Sequence, residues 1–150
     1  MDLQIDDFYK DIANALLTLY QAFPRRVPLY VEDLIGREGV DEFGLPSKRH
    51  LSCLGALLWL ADEHYLRYEA RIHYEAIDQA VLTEKSLVRL TRLVGLPEAS
   101  EMPAGVMRIK SSMAHQMREA LADQNSESIA KAVRAFLTDT DRAPISKGVT

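Results

Sequence analysis

The chain has 150 residues, 47% of them apolar and 27% charged, with a formal net charge of −4. A chain of this size can bury roughly 70% of its unfolded surface in one core, and its acidic balance excludes a generally basic nucleic-acid coat, so any nucleic-acid contact must come from a local patch. The single Cys53 cannot form an intramolecular disulfide, and the N-terminal MDLQIDDFYK lacks the basic and apolar regions of a signal peptide. The longest uncharged apolar run, Ser52 to Ala61, is about half of what a membrane span needs. The expectation is a cytoplasmic protein with no membrane partner.

From Ile5 onward, Phe8, Ile12, Leu16, Tyr20 and Phe23 recur at spacings of three and four, the stripe of an amphipathic helix that stops at Pro24. Asp2, Asp6 and Asp7 at its start complement the positive end of the helix dipole. Pro24 to Pro28 reads as a stiff loop, LYVEDLIG as a short second helix closed by Gly36, and REGVDEFGLPSK as loop. Ser47 stands at an N-cap position before a third helix, from Lys48 to about His64.

Leu66, Tyr68, Ala70, Ile72 and Tyr74 then alternate with Arg67, Glu69, Arg71, His73 and Glu75. This period of two predicts a strand with Leu66, Tyr68, Ala70 and Ile72 toward the core and Arg67, Glu69 and Arg71 in water. AIDQAVLT supplies a shorter return strand after a turn near Glu75 to Gln79, and Thr83 caps a fourth helix ending at Gly95. Residues 96–106, with two prolines and a glycine, read as a linker. Beyond it Ile109, Met113, Met117 and Leu121 fall on one helical stripe, and Ile129, Val133 and Leu137 on a second after a break at Gln124 to Ser126. The expected fold class is mainly α with a small β-hairpin. A body spans residues 1–95, a helical extension 107–138, and a frayed tail 139–150.

Three helices followed by a hairpin, with ALLWLADEHYL running from the third helix into the first strand and AVLTEKSLVRL forming the return strand and next helix, resemble a winged helix-turn-helix domain of small bacterial regulators over roughly residues 8–95. The resemblance implies DNA binding through the start of helix three, at Lys48, Arg49, His50 and Ser52, with Arg67, Arg71 and His73 near the wing. It also implies that the added C-terminal helices serve as a dimer arm. Two positions depart from it: His64 and Ser86 stand where glycine is usual, at the exit of helix three and after the return strand.

On helix three itself, Leu51, Leu54, Leu58, Ala61 and Tyr65 form the expected inward stripe, which leaves Ser52, Gly55, Trp59 and Asp62 pointing outward. A groove reader needs Arg, Lys, Asn or Gln on that face to meet base edges; Trp59 beside Gly55 suits a protein surface, or cover by the chain's own helices. Met113 and Met117 add a soft, adaptable stripe that suits a partner groove or a core. The sequence therefore poses two readings. One is a module for protein interaction or homo-oligomeric assembly, with Ser52, Gly55, Trp59, Met113 and Met117 as its face. The other is a dimeric DNA-binding regulator, with Lys48, Arg49, His50 and Ser52 aided by Arg25, Arg26, Arg67, Arg71 and His73. A homodimer is the expected assembly in either.

Signs of catalysis are weak. The adjacent acids Asp6-Asp7, Glu32-Asp33, Asp41-Glu42 and Asp62-Glu63 point apart rather than converging. His50 and Cys53, three apart on a helix, lack a second ligand pair for zinc, and GREG lacks the strand and helix of a phosphate loop. No cofactor and no enzymatic activity are expected.

Overall fold

The computed structural model describes residues 3–94 and 103–139, which contain seven helices and four short strands. Helix α1, Leu3–Ala22, is the spine. Its predicted stripe is present, with Ile12 and Leu16 fully buried, but Ala13, Ala15, Leu17 and Leu19 are buried as well. A helix covered on several sides needs several neighbours: α3, Lys48–Asp62, packs on α1, and so do α6, Met113–Asp123, and α7, Ser126–Thr138.

The segment after α1 differs from expectation. Val27–Tyr30 is a strand, β1, where loop and the beginning of a helix were expected, and α2 is cut to Val31–Ile35. Pro28 sits inside β1 without disrupting pairing, because β4, Ala76–Leu82, bulges opposite it. Val27 pairs with Ala80 and Leu29 with Ile77, so Asp78 and Gln79 face the one residue that has no N–H to donate. Gly36 then ends α2 at φ +87°, its N–H donating to the Glu32 carbonyl (2.9 Å).

The loop from Gly36 to Ser47 is closed by the Asp41 carboxylate, which accepts the N–H groups of Phe43 (2.9 Å) and Leu45 (2.8 Å). Ser47 caps α3 as predicted, accepting the His50 N–H at 3.0 Å. The buried face of α3 is rotated from the expected stripe. His50, Cys53, Leu54, Ala56, Leu57 and Leu60 face inward, while Leu51 is 40% exposed.

The exit of α3 explains how a helix passes into a strand without glycine. The N–H of Tyr65 donates to the Leu60 carbonyl (2.8 Å) and that of His64 to the Ala61 carbonyl (3.0 Å), with His64 at φ +65°. This is the paired closure of a Schellman ending. Thr83 and Ser86 donate their hydroxyls to the Tyr65 carbonyl, Thr83 also to that of His64, and Lys85 donates to that of Glu63. Thus Ser86, where glycine is usual, fastens the turn. His64→Gly is expected to raise stability by about 0.5–1 kcal/mol, because glycine meets the positive φ without a Cβ penalty. Urea midpoints of the two proteins check it; an unchanged or lowered midpoint contradicts it.

The predicted first hairpin strand is split into β2, Leu66–Arg67, and β3, Ala70–Ile72. Both pair antiparallel with β4 in one unbroken register, from Leu66 opposite Leu82 to Ile72 opposite Ala76. The interruption faces Gln79, held at φ +55° in the bulge. The turn occupies His73–Glu75, earlier than expected. The in-out phase is as predicted at Leu66, buried, at Tyr68 and Ile72, half-buried, and at Arg67, Glu69 and Arg71, exposed. Ala70 is exposed, against expectation, although Ala76 and Ile77 nearer the turn are fully buried.

Helix α4, Glu84–Thr91, is capped by Thr83 and stops short of Gly95. Residues 92–94 then lie beside 111–113, with the Val94 N–H donating to Ser111 and that of Met113 to Arg92 (2.9 Å each). Helix α5, Ala104–Lys110, begins inside the expected linker, of which residues 96–102 lie outside the described region, as does the expected tail beyond Asp139. The single stripe from Ile109 to Leu121 is broken at Ser112, which caps α6, and Ile109 is 64% exposed while Met117 is fully buried.

The extension is no separate arm. Met113, Met117, Ile129, Val133 and Phe136 belong to the same core cluster as Ile12, Leu57 and Leu82. Arg89, buried on α4, donates to the Phe136 (3.0 Å) and Leu137 (3.3 Å) carbonyls at the end of α7, where a cation also meets the negative end of that helix's dipole. The fold is thus mainly α with a small antiparallel sheet, and among the described residues no helix is long and apolar enough to cross a membrane.

Candidate functional site

Helix three was the expected site, and the structure divides its residues into those turned inward and those left open. Arg49 is turned inward. Its guanidinium donates two bonds to the Asp11 carboxylate on α1, at 2.6 and 2.7 Å, and lies 3.6 Å from Asp7. Asp11 is 1% exposed, so the pair bridges α3 to the buried side of α1. The hydrogen bonds to Asp11 hold the Arg49 guanidinium above its ordinary pKa. A group committed to a buried carboxylate is not available to a phosphate or a guanine edge. Arg49 is therefore a structural tie, not the expected DNA contact.

His50 is likewise buried, and its Nε2–H donates to the Tyr74 carbonyl in the hairpin turn at 2.7 Å. It holds the turn against the first turn of α3 and does not face solvent. Cys53, fully buried one turn on, is pushed up to about 12, mainly by burial, with the nearby Asp11 charge adding to it. The thiol is thus protonated at neutral pH and unfit as a nucleophile. Between about 8.5, where an unfolded thiol titrates, and 12, the unfolded chain loses a proton that the folded one keeps, so stability should fall as pH rises. The slope from this group is about 1.4 kcal/mol per pH unit. Cys53→Ala should remove that part of the alkaline loss in denaturation curves across this range; identical slopes would contradict the assignment.

Trp59 is half-buried against α1. Its ring meets Phe8 edge-on at 5.2 Å and stacks on Tyr65 at 5.9 Å, and Tyr65 continues to Phe136 at 5.4 Å. Trp59 thus joins an aromatic row linking α1, α3 and α7 and is covered in large part by its own chain. Met113 and Met117, 3% and 0% exposed, are core residues and cannot form the expected interaction face.

Ser52 and Gly55 are exposed as expected, and a Cβ at Gly55 would meet nothing within 4 Å. No contact inside the chain requires glycine there. Lys48, Arg25, Arg67, Arg71 and His73 are also exposed, and Arg26 is exposed but paired with Glu69 at 2.8 Å. Arg26 and Arg67 border a cleft of about 380 Å³ just past the end of α1, which Lys48 does not line. Within the expected DNA-contact set, Arg49 and His50 are internal ties, whereas Lys48, Ser52, Arg67, Arg71 and His73 are exposed.

Sequence reasoning missed four apolar residues that surround the start of α3. Leu51 was assigned inward and is 40% exposed; Phe43 and Leu45, in the loop leading to the cap, are 79% and 50% exposed; Tyr74, whose carbonyl His50 holds, is 47% exposed. The available signal was Phe43 and Leu45 themselves, large apolar residues in a glycine-punctuated loop, where burial is uncommon. Among the described residues no cluster of three His, Cys, Asp or Glu could hold a metal ion. No protein-family model, curated protein or solved structure matches the chain at a significant level.

Proposed function

We propose that this protein is a non-enzymatic binding module of winged-helix-like build, working in the reducing cytoplasm, that docks a protein partner on the open end of α3. The observation that carries this reading is the exchange of roles there. Arg49 and His50 are spent on Asp11 and Tyr74, while Phe43, Leu45, Leu51 and Tyr74 remain exposed. Exposed apolar and aromatic side chains near one helix start favour a protein surface over a phosphate backbone. Gly55, open on the same helix, admits close approach of a partner's main chain.

The second reading, a dimeric DNA-binding regulator, keeps one favourable observation: the order α1, β1, α2, α3, hairpin resembles a winged helix, and Lys48, Ser52 and Arg71 remain exposed. Fold order alone is analogy. The experiment compares the folded variants Leu51→Asp/Phe43→Asp and Lys48→Ala/Arg71→Ala in two assays, affinity capture and titration of a mixed-sequence duplex at physiological salt. The first variant should lose about tenfold or more in partner capture and the second should keep it. Salt-sensitive duplex binding that vanishes only in the Lys48/Arg71 variant would replace this reading with the regulator.

A further inference from the structure

We infer that the cleft just past the end of α1, at the corner where β4 runs into α4, binds a free α-amino acid with an apolar side chain. The cleft encloses about 380 Å³, within the size range of small-ligand pockets and ample for one such molecule. Its lining follows from the chain. Arg67 on β2 pairs with Val81 on β4, Leu82 ends that strand, Thr83 caps α4, and Glu84 opens the helix with Leu87 three residues on, on the same helix face. Phe23, the residue after α1, lines it as well. Val81 and Leu82 are 6% and 2% exposed and Phe23 and Leu87 half-buried, so the apolar part of the lining is firmly set in the fold.

The charges select the ligand. Arg26 is already committed to Glu69 at 2.8 Å. Arg67 and Glu84 are different: both line the cleft, both are exposed, and neither has an ion-pair or hydrogen-bond partner among the described residues, each other included. A guanidinium offers a carboxylate two parallel N–H groups, and a carboxylate offers an ammonium its acceptor oxygens. A simple organic anion or a phosphate would satisfy Arg67 and be repelled by Glu84; an amine would be repelled by the arginines. A peptide end carries only one of the two charges. A free α-amino acid carries both beside one side chain, and an aliphatic or aromatic side chain suits Phe23, Val81 and Leu87. This cleft is distinct from the open end of α3 and does not depend on the function proposed for that end.

Nuclear magnetic resonance titration of the full chain tests the inference, with L-leucine and L-phenylalanine as probes. Both should shift the amide signals of residues 81–87 saturably, with a Kd of about 1 mM or tighter. Glycine, which lacks the apolar side chain, should bind about tenfold more weakly or worse. Leucinamide, without the carboxylate, and N-acetylleucine, without the ammonium, should each lose about tenfold or more. Arg67→Gln should weaken leucine but leave leucinamide unchanged, and Glu84→Gln should weaken leucine but leave N-acetylleucine unchanged. Both side chains are exposed, and circular dichroism confirms that each variant is folded. The analogue series on the wild-type chain decides the question without any variant. Absence of saturable shifts up to about 10 mM overturns the inference. So does N-acetylleucine or leucinamide binding as tightly as leucine, or leucine binding that folded Arg67→Gln and Glu84→Gln leave unchanged.

Discussion

Arg49→Ala is expected to destabilise the protein by about 3 kcal/mol, the low end of the range for breaking a buried pair, because a quarter of the Arg49 side chain still reaches solvent. The loss arises less from the missing attraction than from what remains, a carboxylate at Asp11 that is 1% exposed and stripped of its two strongest donors. The double variant Asp11→Leu/Arg49→Met should therefore be more stable than Arg49→Ala, even though it removes more. Lys48→Ala, one residue away and exposed, should change stability by no more than about 0.5 kcal/mol. Denaturant titration of the four proteins checks the set. Equal costs for Lys48→Ala and Arg49→Ala would mean that the Asp11 pair is a surface contact.

The chain shortened to end at Gly95 is expected not to fold. It would retain every element from α1 to α4, yet uncover the side of α1 that α6 and α7 bury, together with Leu90 and the Arg89 side chain that those helices receive. The milder version is Phe136→Ala in the full chain, which should cost about 3–5 kcal/mol, since Phe136 is fully buried and touches the Tyr65 ring at 5.4 Å. Near-ultraviolet circular dichroism and a cooperative melt report the outcome. A cooperatively melting 1–95 fragment would restore the two-part organisation that composition had indicated.

These two results concern the places where sequence and structure part. Caps were legible because their signal is local: Ser47 and Thr83 each accept an N–H three residues on, a relation contained in a few consecutive letters. The alternation from Leu66 was legible in phase for the same reason. Strand β1 was not, since four residues between Pro24 and Val31 are too few to display a period and Pro28 argues against pairing unless the bulge opposite is known. The inward turn of Arg49 was hidden because its partner lies 38 residues away; the faint clue was Asp11, a charge beginning the buried run through Leu17. Met113 and Met117 showed an apolar stripe, but periodicity cannot say which surface covers a stripe, and here it is the chain's own α1.

The broken outline of the sheet bears on how any partner can be held. On one rim β1 offers four residues with Pro28 among them; on the other, β2 and β3 offer two and three residues separated by Tyr68 and Glu69. Neither rim presents the continuous ladder of main-chain donors and acceptors that a foreign strand would need to extend the sheet. Main-chain ladders accept many sequences, whereas side-chain surfaces discriminate among them. A protein built with both rims interrupted resists runaway strand addition and leaves selectivity to the shape and charge of its helices.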